Sequence, residues 1–355
     1  MVGSGAGRGA GCGTVLGMPD DVTIPAEFVR LVAGRAPEPE ISGDDWLRSL
    51  PGLVRGALAR WELTPDGPTR HGRCAVVVPV RLPDRTPAAL KVGWPHAESR
   101  HEHLALRAWG GDGAVELLAA DPNRSTLLLA RLDADRSLAG LDVEEACEVL
   151  GTLLRRLDRP ALPQIPRLSG WAQRRTAFDS PAAARVPRRF TQQARSTARD
   201  LLQDEGVDAR LVHTDLHDGN VLAGLGSLTG SGPGSGAASG TPAGMPSALS
   251  AGAGPDATTR EGEWTAIDPK PMSAEPAFGV WPALHNRWDE LGREVAWGVH
   301  SRLGWICEAA GIDEDRARGW ALVRTVVDAV GAAASEDAER LTARITLAKA
   351  LAQRW

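Results

Sequence analysis

The chain has 355 residues, enough for one large core or two smaller ones. An apolar share of 43%, a charged share of 24% and a net charge of −5 are those of a soluble globular protein, with no basic footprint for nucleic acid and no polybasic run. The longest apolar runs, such as Cys74–Val80, fall far short of the ~18 residues of a membrane span.

Residues 1–21 are a glycine–alanine tail without periodicity, expected to be disordered, and no register of its glycines closes a G-x-G-x-x-G pattern. The tail lacks the charged start and apolar centre of a secretory signal, and Met18 is an alternative start that N-terminal mass analysis would detect. Asp44 and Asp45 precede apolar residues at helical spacing (Trp46, Leu47, Leu50, Leu53, Val54, Leu58, Trp61), which predicts a capped helix. Cys74–Val80 and Ala88–Val92 read as strands joined by the turn Pro83-Asp84-Arg85-Thr86. Ala97–Trp109 reads as a helix, and Val115–Ala119 with Thr126–Leu132 complete an antiparallel sheet. Beyond Asp142 the pattern turns mainly helical, interrupted by residues 211–222. Residues 225–261 are rich in Gly, Ser, Ala and Pro with almost no charge until their end, and are expected to be a flexible surface insertion. Trp264–Ile267 reads as a further strand, and from Trp281 the chain reads as helical to its end. The expected class is α+β, with a small antiparallel sheet lobe carrying a helix over residues 22–130 and a larger, mostly helical lobe over 131–355.

The four cysteines, at 12, 74, 147 and 307, include no Cys-x-x-Cys pair, so a reduced, cytoplasmic setting fits better than a disulfide framework or a cysteine zinc site. Of the 40 basic residues only Lys91, Lys270 and Lys349 are lysines. Where generic positive charge is supplied by arginine, a surviving lysine marks a place where a compact ammonium differs from a planar guanidinium, unless codon bias alone accounts for it.

The stretch Leu211-Val212-His213-Thr214-Asp215-Leu216-His217-Asp218-Gly219-Asn220-Val221-Leu222 concentrates polar chemistry between apolar ends. Alternating His213, Asp215 and His217 suggest zinc, but the other histidines supply no further ligands at sensible spacing. A solvated acidic turn is the bland alternative. The third reading is His-x-Asp-Leu-x-x-x-Asn, the catalytic-loop pattern of kinases. In that pattern one carboxylate, Asp215, meets the attacking hydroxyl, while an amide oxygen five positions on, Asn220, coordinates Mg²⁺ on the phosphates without adding charge. A second metal-binding acid should follow a later strand, and Ile267-Asp268-Pro269 supplies Asp268. A strand lysine should hold the nucleotide phosphates, and Ala88-Ala89-Leu90-Lys91-Val92 supplies Lys91. An acid on the next helix should orient that lysine; Glu98 and Glu102 share one helical face, and Glu102 is the better choice. Each residue alone could be an ordinary solvated charge; their order gives the reading its force. Thr214 replaces the arginine of protein kinases, Pro-Lys follows Asp268 in place of Phe-Gly, and no Gly-rich phosphate loop is evident, so a small molecule is the expected acceptor.

With these residues in view the chain resembles the aminoglycoside phosphotransferase family, in its streptomycin 6-kinase and hydroxyurea phosphotransferase branch. The carrying stretches include WLRSLPGLV (46–54), RWELTPDG (60–67), AALKV (88–92), LVHTDLHDGNVLA (211–223) and WTAIDPKPMSAEP (264–276), within a resemblance over roughly residues 22–352. It implies a two-lobed protein-kinase-like fold, ATP and Mg²⁺, and phosphoryl transfer to a drug hydroxyl. On that basis Asp215 is the base or hydroxyl-orienting carboxylate, and Asn220 and Asp268 bind Mg²⁺. Lys91 and Glu102 serve the phosphates, and the backbone of Ala130 and Leu132 lies against adenine. Ala130 stands where the branch carries glutamate. Gly279 stands where a second acid is usual, which removes an expected support of the metal loop. The implied partner is a small-molecule substrate, with no nucleic acid, membrane or obligate protein partner. The competing readings are a metabolic kinase of a sugar, amino-sugar or natural product, and a nucleotide-binding pseudokinase. The C-terminal helices offer Trp281, Trp288, Asp289, Glu290 and Trp320 to an acceptor, although these read equally well as core tryptophans and solvated acids.

Overall fold

The computed structural model describes residues 22–36, 41–225, 263–292 and 294–353. The 1–21 tail and all of the 225–261 insertion except Leu225 lie outside the described residues. The chain divides into two compact units, one of Met1–Arg100 with Leu118–Ala130, the other of His101–Leu117 with Arg131–Trp355.

The first unit is built on a six-stranded sheet. Strands β1 (Thr64–Pro65), β2 (Arg70–His71), β3 (Ala75–Arg81), β4 (Pro87–Gly93), β5 (Leu117–Asp121) and β6 (Thr126–Ala130) run in the order β1-β3-β4-β6-β5, with β2 also on β3. β3 and β4 pair antiparallel in full register from Ala75↔Gly93 to Arg81↔Pro87. Because side chains alternate along a strand, Val76, Val78 and Val80 share one face with Ala88, Leu90 and Val92, and all six are fully buried. Helices α1 (Ala26–Val32) and α2 (Gly43–Arg60) supply Phe28, Val32, Trp46, Leu50 and Val54 to the same core. Phe28 and Trp46 meet edge to face at 5.7 Å. Each such side chain contributes about 1.5–3 kcal/mol on burial, which is what holds α2 to the sheet. The cap of α2 is Ser42, whose hydroxyl accepts the Asp45 amide, while Asp44 and Asp45 lie in the first turn. Predicting a cap at the aspartates placed it two to three residues too late, because the Ser42 oxygen takes the Asp45 amide.

The predicted helix over 97–109 forms only as α3 (Glu102–Trp109). Ser99 turns back on His96, with both its amide and its hydroxyl donating to the His96 carbonyl, and this local turn displaces the first helical bonds. Glu98 is therefore an exposed turn residue and shares no helical face with Glu102, which is buried at the start of α3. The predicted strand 126–132 splits at Arg131 into β6 and β7 (Leu132–Ser137), which belong to different sheets.

In the second unit two small sheets carry the polar loops. β7, β10 (Val221–Gly224) and β11 (Trp264–Ala266) form one, in the order β11-β10-β7. β8 (Arg159–Pro160), β9 (Arg210–His213) and β12 (Pro271–Ala274) form the other, in the order β12-β9-β8. Helices α4 (Val143–Arg156), α5 (Leu168–Arg175), α6 (Arg188–Leu201), α7 (Trp281–His285), α8 (Val295–Ala310), α9 (Glu314–Ala334) and α10 (Ala338–Ala352) complete the unit. Asp142, Asp313 and Asp337 cap α4, α9 and α10 by accepting the Glu144, Arg316 and Arg340 amides. α4 and α8 cross at Gly151, where a Cβ would lie 2.5 Å from the Ile306 carbonyl oxygen. Phe278 is wedged edge-on between Trp171 (5.1 Å) and Trp320 (5.5 Å). The stretch after Trp281 is not continuously helical: Arg287 takes φ of +51°, and buried Arg302 donates to the carbonyls of Asn286 and Arg287 to hold that break. Among the described residues no helix is long and apolar enough to cross a membrane, and Cys74, Cys147 and Cys307 are free thiols.

Candidate active site

Four short strands bring the polar loops together. β9 pairs antiparallel with β12 through His213↔Pro271, Val212↔Met272 and Leu211↔Ser273, and β10 pairs with β11 through Val221↔Ala266 and Leu222↔Thr265. The β9–β10 loop (214–220) thus faces the β11–β12 loop (267–270). Backbone bonds join them across the gap: Ile267 N–H donates to the Asn220 carbonyl (2.9 Å) and Thr214 N–H to the Lys270 carbonyl (3.1 Å). The Thr214 hydroxyl adds a second bond to that Lys270 carbonyl, at 2.7 Å.

His213 sits beneath this junction with 1% of its surface exposed, stacked on Trp109. Its Nε2–H donates to the Ile267 carbonyl (3.0 Å), and its Nδ1 accepts the Asp215 amide (3.2 Å). Those partners assign the neutral tautomer with the proton on Nε2. Burial pushes its pKa down to about 4, outweighing the Ile267 carbonyl and the negative charges of Asp215 and Asp268, which favour the imidazolium. With both ring nitrogens committed to backbone groups, His213 has no lone pair for a metal, which removes the alternating zinc reading. His217 likewise uses Nδ1 to accept the Gly219 amide (3.1 Å). Among the described residues no three His, Cys, Asp or Glu side chains converge on a point.

Asp215 is partly buried and held by two residues. Lys270 Nζ lies 3.1 Å from Asp215 Oδ2. Asn220 Nδ2 donates to the Asp215 carbonyl (2.9 Å) and, at 3.4 Å, to Oδ2. Committing Nδ2 to Asp215 fixes the amide orientation and leaves Asn220 Oδ1 as an acceptor. Asp268 directly follows Ile267, with φ of +53°, a left-handed conformation that Asp tolerates at a cost of about 1 kcal/mol. One amide oxygen and one carboxylate are hard donors that suit Mg²⁺, which takes few protein ligands and completes its shell with water and phosphate oxygens.

The other predicted site residues stand on other elements. Lys91 is buried on β4, opposite Val77 and Leu127 and on the face of the sheet away from Leu90 and Val92. It belongs to the first unit, and Glu102 to the second. Ala130 ends β6 paired with Ala88, and Leu132 starts β7 paired with Gly224. Of the acceptor candidates, Trp320 is fully buried and donates to the Glu275 carboxylate, which Arg316 also binds, so it belongs to the core. Trp281 donates to Thr325 (2.9 Å) and stacks against Arg324. Trp288 is half-buried, and Asp289 and Glu290 are exposed, with Glu290 paired to Arg287.

Sequence reasoning missed Arg324. Its guanidinium lies over Phe278 (4.5 Å) and Trp281 (4.4 Å) and donates to the Phe278 and Thr214 carbonyls, both at 2.9 Å. It therefore grips the backbone next to Asp215 from α9. At Gly279 a Cβ would already lie 3.0 Å from both Leu154 and Val212, so a longer acidic side chain has no room. Arg324 braces the 214–220 loop through the Thr214 carbonyl, a different loop from the one that an acid at 279 was expected to support. One arginine among many carries no local signal that separates it from the rest.

Comparison with known proteins adds an independent line. Residues 60–230 match the model of the family described as aminoglycoside/hydroxyurea antibiotic resistance kinase. The chain is 35% identical to a streptomycin 6-kinase of Streptomyces glaucescens over 317 residues, covering 87% of this chain and 91% of that protein. It is 37% identical to a hydroxyurea phosphotransferase of Kitasatospora aureofaciens over 315 residues, covering 86% and 78%. Among solved structures, a choline/ethanolamine kinase family protein from Mesorhizobium loti aligns with a TM-score of 0.51 at 12% identity, over 85% of this chain and 95% of that one. An aminoglycoside phosphotransferase solved with ADP and hygromycin B aligns at 0.50 and 12%, over 84% and 96%. These likenesses show the fold, a protein-kinase-like α+β arrangement.

Proposed function

The chain belongs to the aminoglycoside/hydroxyurea antibiotic resistance kinase family, and from that premise we propose that it transfers the γ-phosphoryl group of ATP to a hydroxyl of a streptomycin-type aminoglycoside. The observation that carries the reading is the meeting of the 214–220 and 267–270 loops, which sets Asp215, Asn220 and Asp268 on adjoining turns of one unit. The match to the streptomycin 6-kinase over nearly all of that protein directs the choice of acceptor.

In the reaction the acceptor oxygen forms a bond to the γ-phosphorus as the bond from that phosphorus to the β-phosphate oxygen breaks, and ADP departs with the electron pair. The hydroxyl proton passes to the Asp215 carboxylate. In a loose transition state little proton transfer is needed early, so Asp215 acts first by aiming the hydroxyl. Asn220 Oδ1 and the Asp268 carboxylate would hold Mg²⁺, which when bound supplies charge neutralisation on the phosphate oxygens. Neutral His213 ties the amide of Asp215 to the carbonyl before Asp268, so the two acids keep their spacing. Lys91 and Glu102 are assigned to the nucleotide phosphates, and the backbone of Ala130 and Leu132 to adenine. An ATP-fed reaction of this kind places the protein in the cytoplasm.

The test is direct: purified protein, ATP, Mg²⁺ and streptomycin, with the product identified by mass spectrometry and hydroxyurea run as a second acceptor because of the second relative. Phosphorylated streptomycin is expected. Asp215→Ala should lower turnover about 10²–10⁴-fold while ATP affinity stays within a few-fold. Phosphorylation of hydroxyurea alone would reassign the acceptor, and near-wild-type turnover in Asp215→Ala would remove Asp215 from the reaction.

A further inference from the structure

Lys270 has no assigned part in the kinase pattern, yet it is bonded to the 214–220 loop through both its backbone and its side chain. Its carbonyl receives both the amide and the hydroxyl of Thr214, at 3.1 and 2.7 Å, so its backbone is fixed against the residue before Asp215. Its side chain then reaches Asp215 itself, Nζ to Oδ2 at 3.1 Å. Among the described residues the contacts on this carboxylate gather on Oδ2, since Asn220 Nδ2 approaches the same oxygen.

We propose that Lys270 is a positioning residue that holds Asp215 by Oδ2 alone and so presents Oδ1 to the acceptor hydroxyl. The inference rests on the phosphotransfer reading of the site. Residue type supports it. In a chain whose basic residues are almost all arginines, position 270 keeps a lysine. A guanidinium pairs with a carboxylate as a two-pronged fork and would occupy both oxygens, whereas an ammonium is a point charge that can bind one. With 35% of the lysine side chain and 25% of the aspartate side chain exposed, the pair is too solvated to contribute much to global stability. Its effect is on the direction of the carboxylate, and a carboxylate aimed wrongly loses rate even when the chain folds normally.

The experiment compares wild type with Lys270→Met, Lys270→Arg, Asp215→Asn and the double variant Lys270→Met/Asp215→Asn, in full-length protein. Lys270→Met is expected to lower kcat about 10- to 100-fold, with the KM values for ATP and streptomycin within about threefold and the melting temperature within about 2 °C. Lys270→Arg keeps the charge but should lose at least about tenfold, because the fork takes the working oxygen. The double variant should be no slower than Asp215→Asn alone, since both changes act through one carboxylate. Crystal structures read the carboxylate without any acceptor: it should turn in Lys270→Met and accept both guanidinium nitrogens in Lys270→Arg. Full activity in Lys270→Arg, losses that multiply in the double variant, or an unmoved carboxylate in Lys270→Met would each overturn the proposal. A wild type inactive on every acceptor would instead sink the functional reading, and the crystal structures would still decide the role of Lys270.

Discussion

Arg324 offers the sharpest test of how the proposed catalytic loop, 214–220, is held. It reaches from α9 to two carbonyls, Phe278 and Thr214, and its guanidinium lies against two aromatic rings. The position is partly buried, so each charged hydrogen bond is worth about 1 kcal/mol, below the fully buried range. Each stacking contact adds about 0.5–1 kcal/mol. Arg324→Met keeps much of the apolar stem but deletes all four, for a loss of about 3 kcal/mol, or a fall in melting temperature of about 6–12 °C for a unit of this size. The second effect is local. Thr214 is bonded to Arg324 through its carbonyl and precedes Asp215, so freeing that carbonyl lets the loop drift, and a shift of about 1 Å lowers kcat up to ~10²-fold. Arg324→Lys separates the two effects, since an ammonium cannot span both carbonyls and should restore only part of either. Thermal melts by circular dichroism and turnover assayed well below the lower melting point measure them. If Arg324→Met melts within about 2 °C of wild type and keeps more than about half its turnover, the bonds in question hold nothing and the reasoning fails.

Three further outcomes follow from the same structure. Gly151→Ala should destabilise by about 2–3 kcal/mol in a urea titration, because its methyl meets the Ile306 carbonyl at the α4–α8 crossing, where neither helix backbone can move aside; an unchanged midpoint would show that the crossing is looser than described. His213 titrates near 4 when folded and near 6.5 when unfolded, so between these values the unfolded chain binds the extra proton. Its contribution is therefore complete above pH 6.5 and is lost as pH falls toward 4, by about 3 kcal/mol, and His285, also pushed down by burial, acts in the same direction. His213→Asn should flatten the stability–pH curve in that window by about one proton, and an identical slope in the variant would exclude the mechanism. The amide of Gly224 donates to the Glu263 carbonyl (2.9 Å), so the described residues on either side of the 225–261 segment are adjacent. Replacing the segment with a short turn should preserve turnover and, for a roughly tenfold shorter loop, stabilise by about 2 kcal/mol. A turnover loss beyond about tenfold would give the segment a role in the reaction.

What could be read from the sequence, and what could not, divides by range. Strands β3 and β4 are short apolar runs joined by a turn at Pro83–Thr86, so their existence was legible, but β3 is apolar on both faces and only the register shows that Val76, Val78 and Val80 point inward. Asp215 and Asn220 are proposed from the fixed local spacing of the 213–220 loop, and Asp268 from its place just after a strand at a motif of its own. The start of α3 was not legible: Ala97–His101 has helical composition, and only the bonds of Ser99 to His96 turn it away. Arg324 and the Glu275–Arg316–Trp320 cluster lie beyond local pattern altogether, because each joins elements far apart in the chain and neither end announces its partner. Rarity singled out Lys270 in an arginine-rich chain, but its grip on Asp215 depends on a fold that no spacing encodes.

That division also explains how the two polar loops can adjoin although the long 225–261 stretch separates them in the chain. Their adjacency is a consequence of register. β10 with β11 closes the stem nearest that stretch, β9 with β12 closes the outer stem, and the two polar loops are the turns left between them. The length of chain beyond Gly224 enters only as closure entropy, which grows with the logarithm of length. A slip of one residue in β9–β12 would reverse the faces of His213 and its neighbours and separate the Thr214 amide from the Lys270 carbonyl. The cost of that slip is the burial of Leu211, Val212 and Ala274, all nearly or fully inaccessible, so the packing of four short strands is what fixes the spacing of the two polar loops.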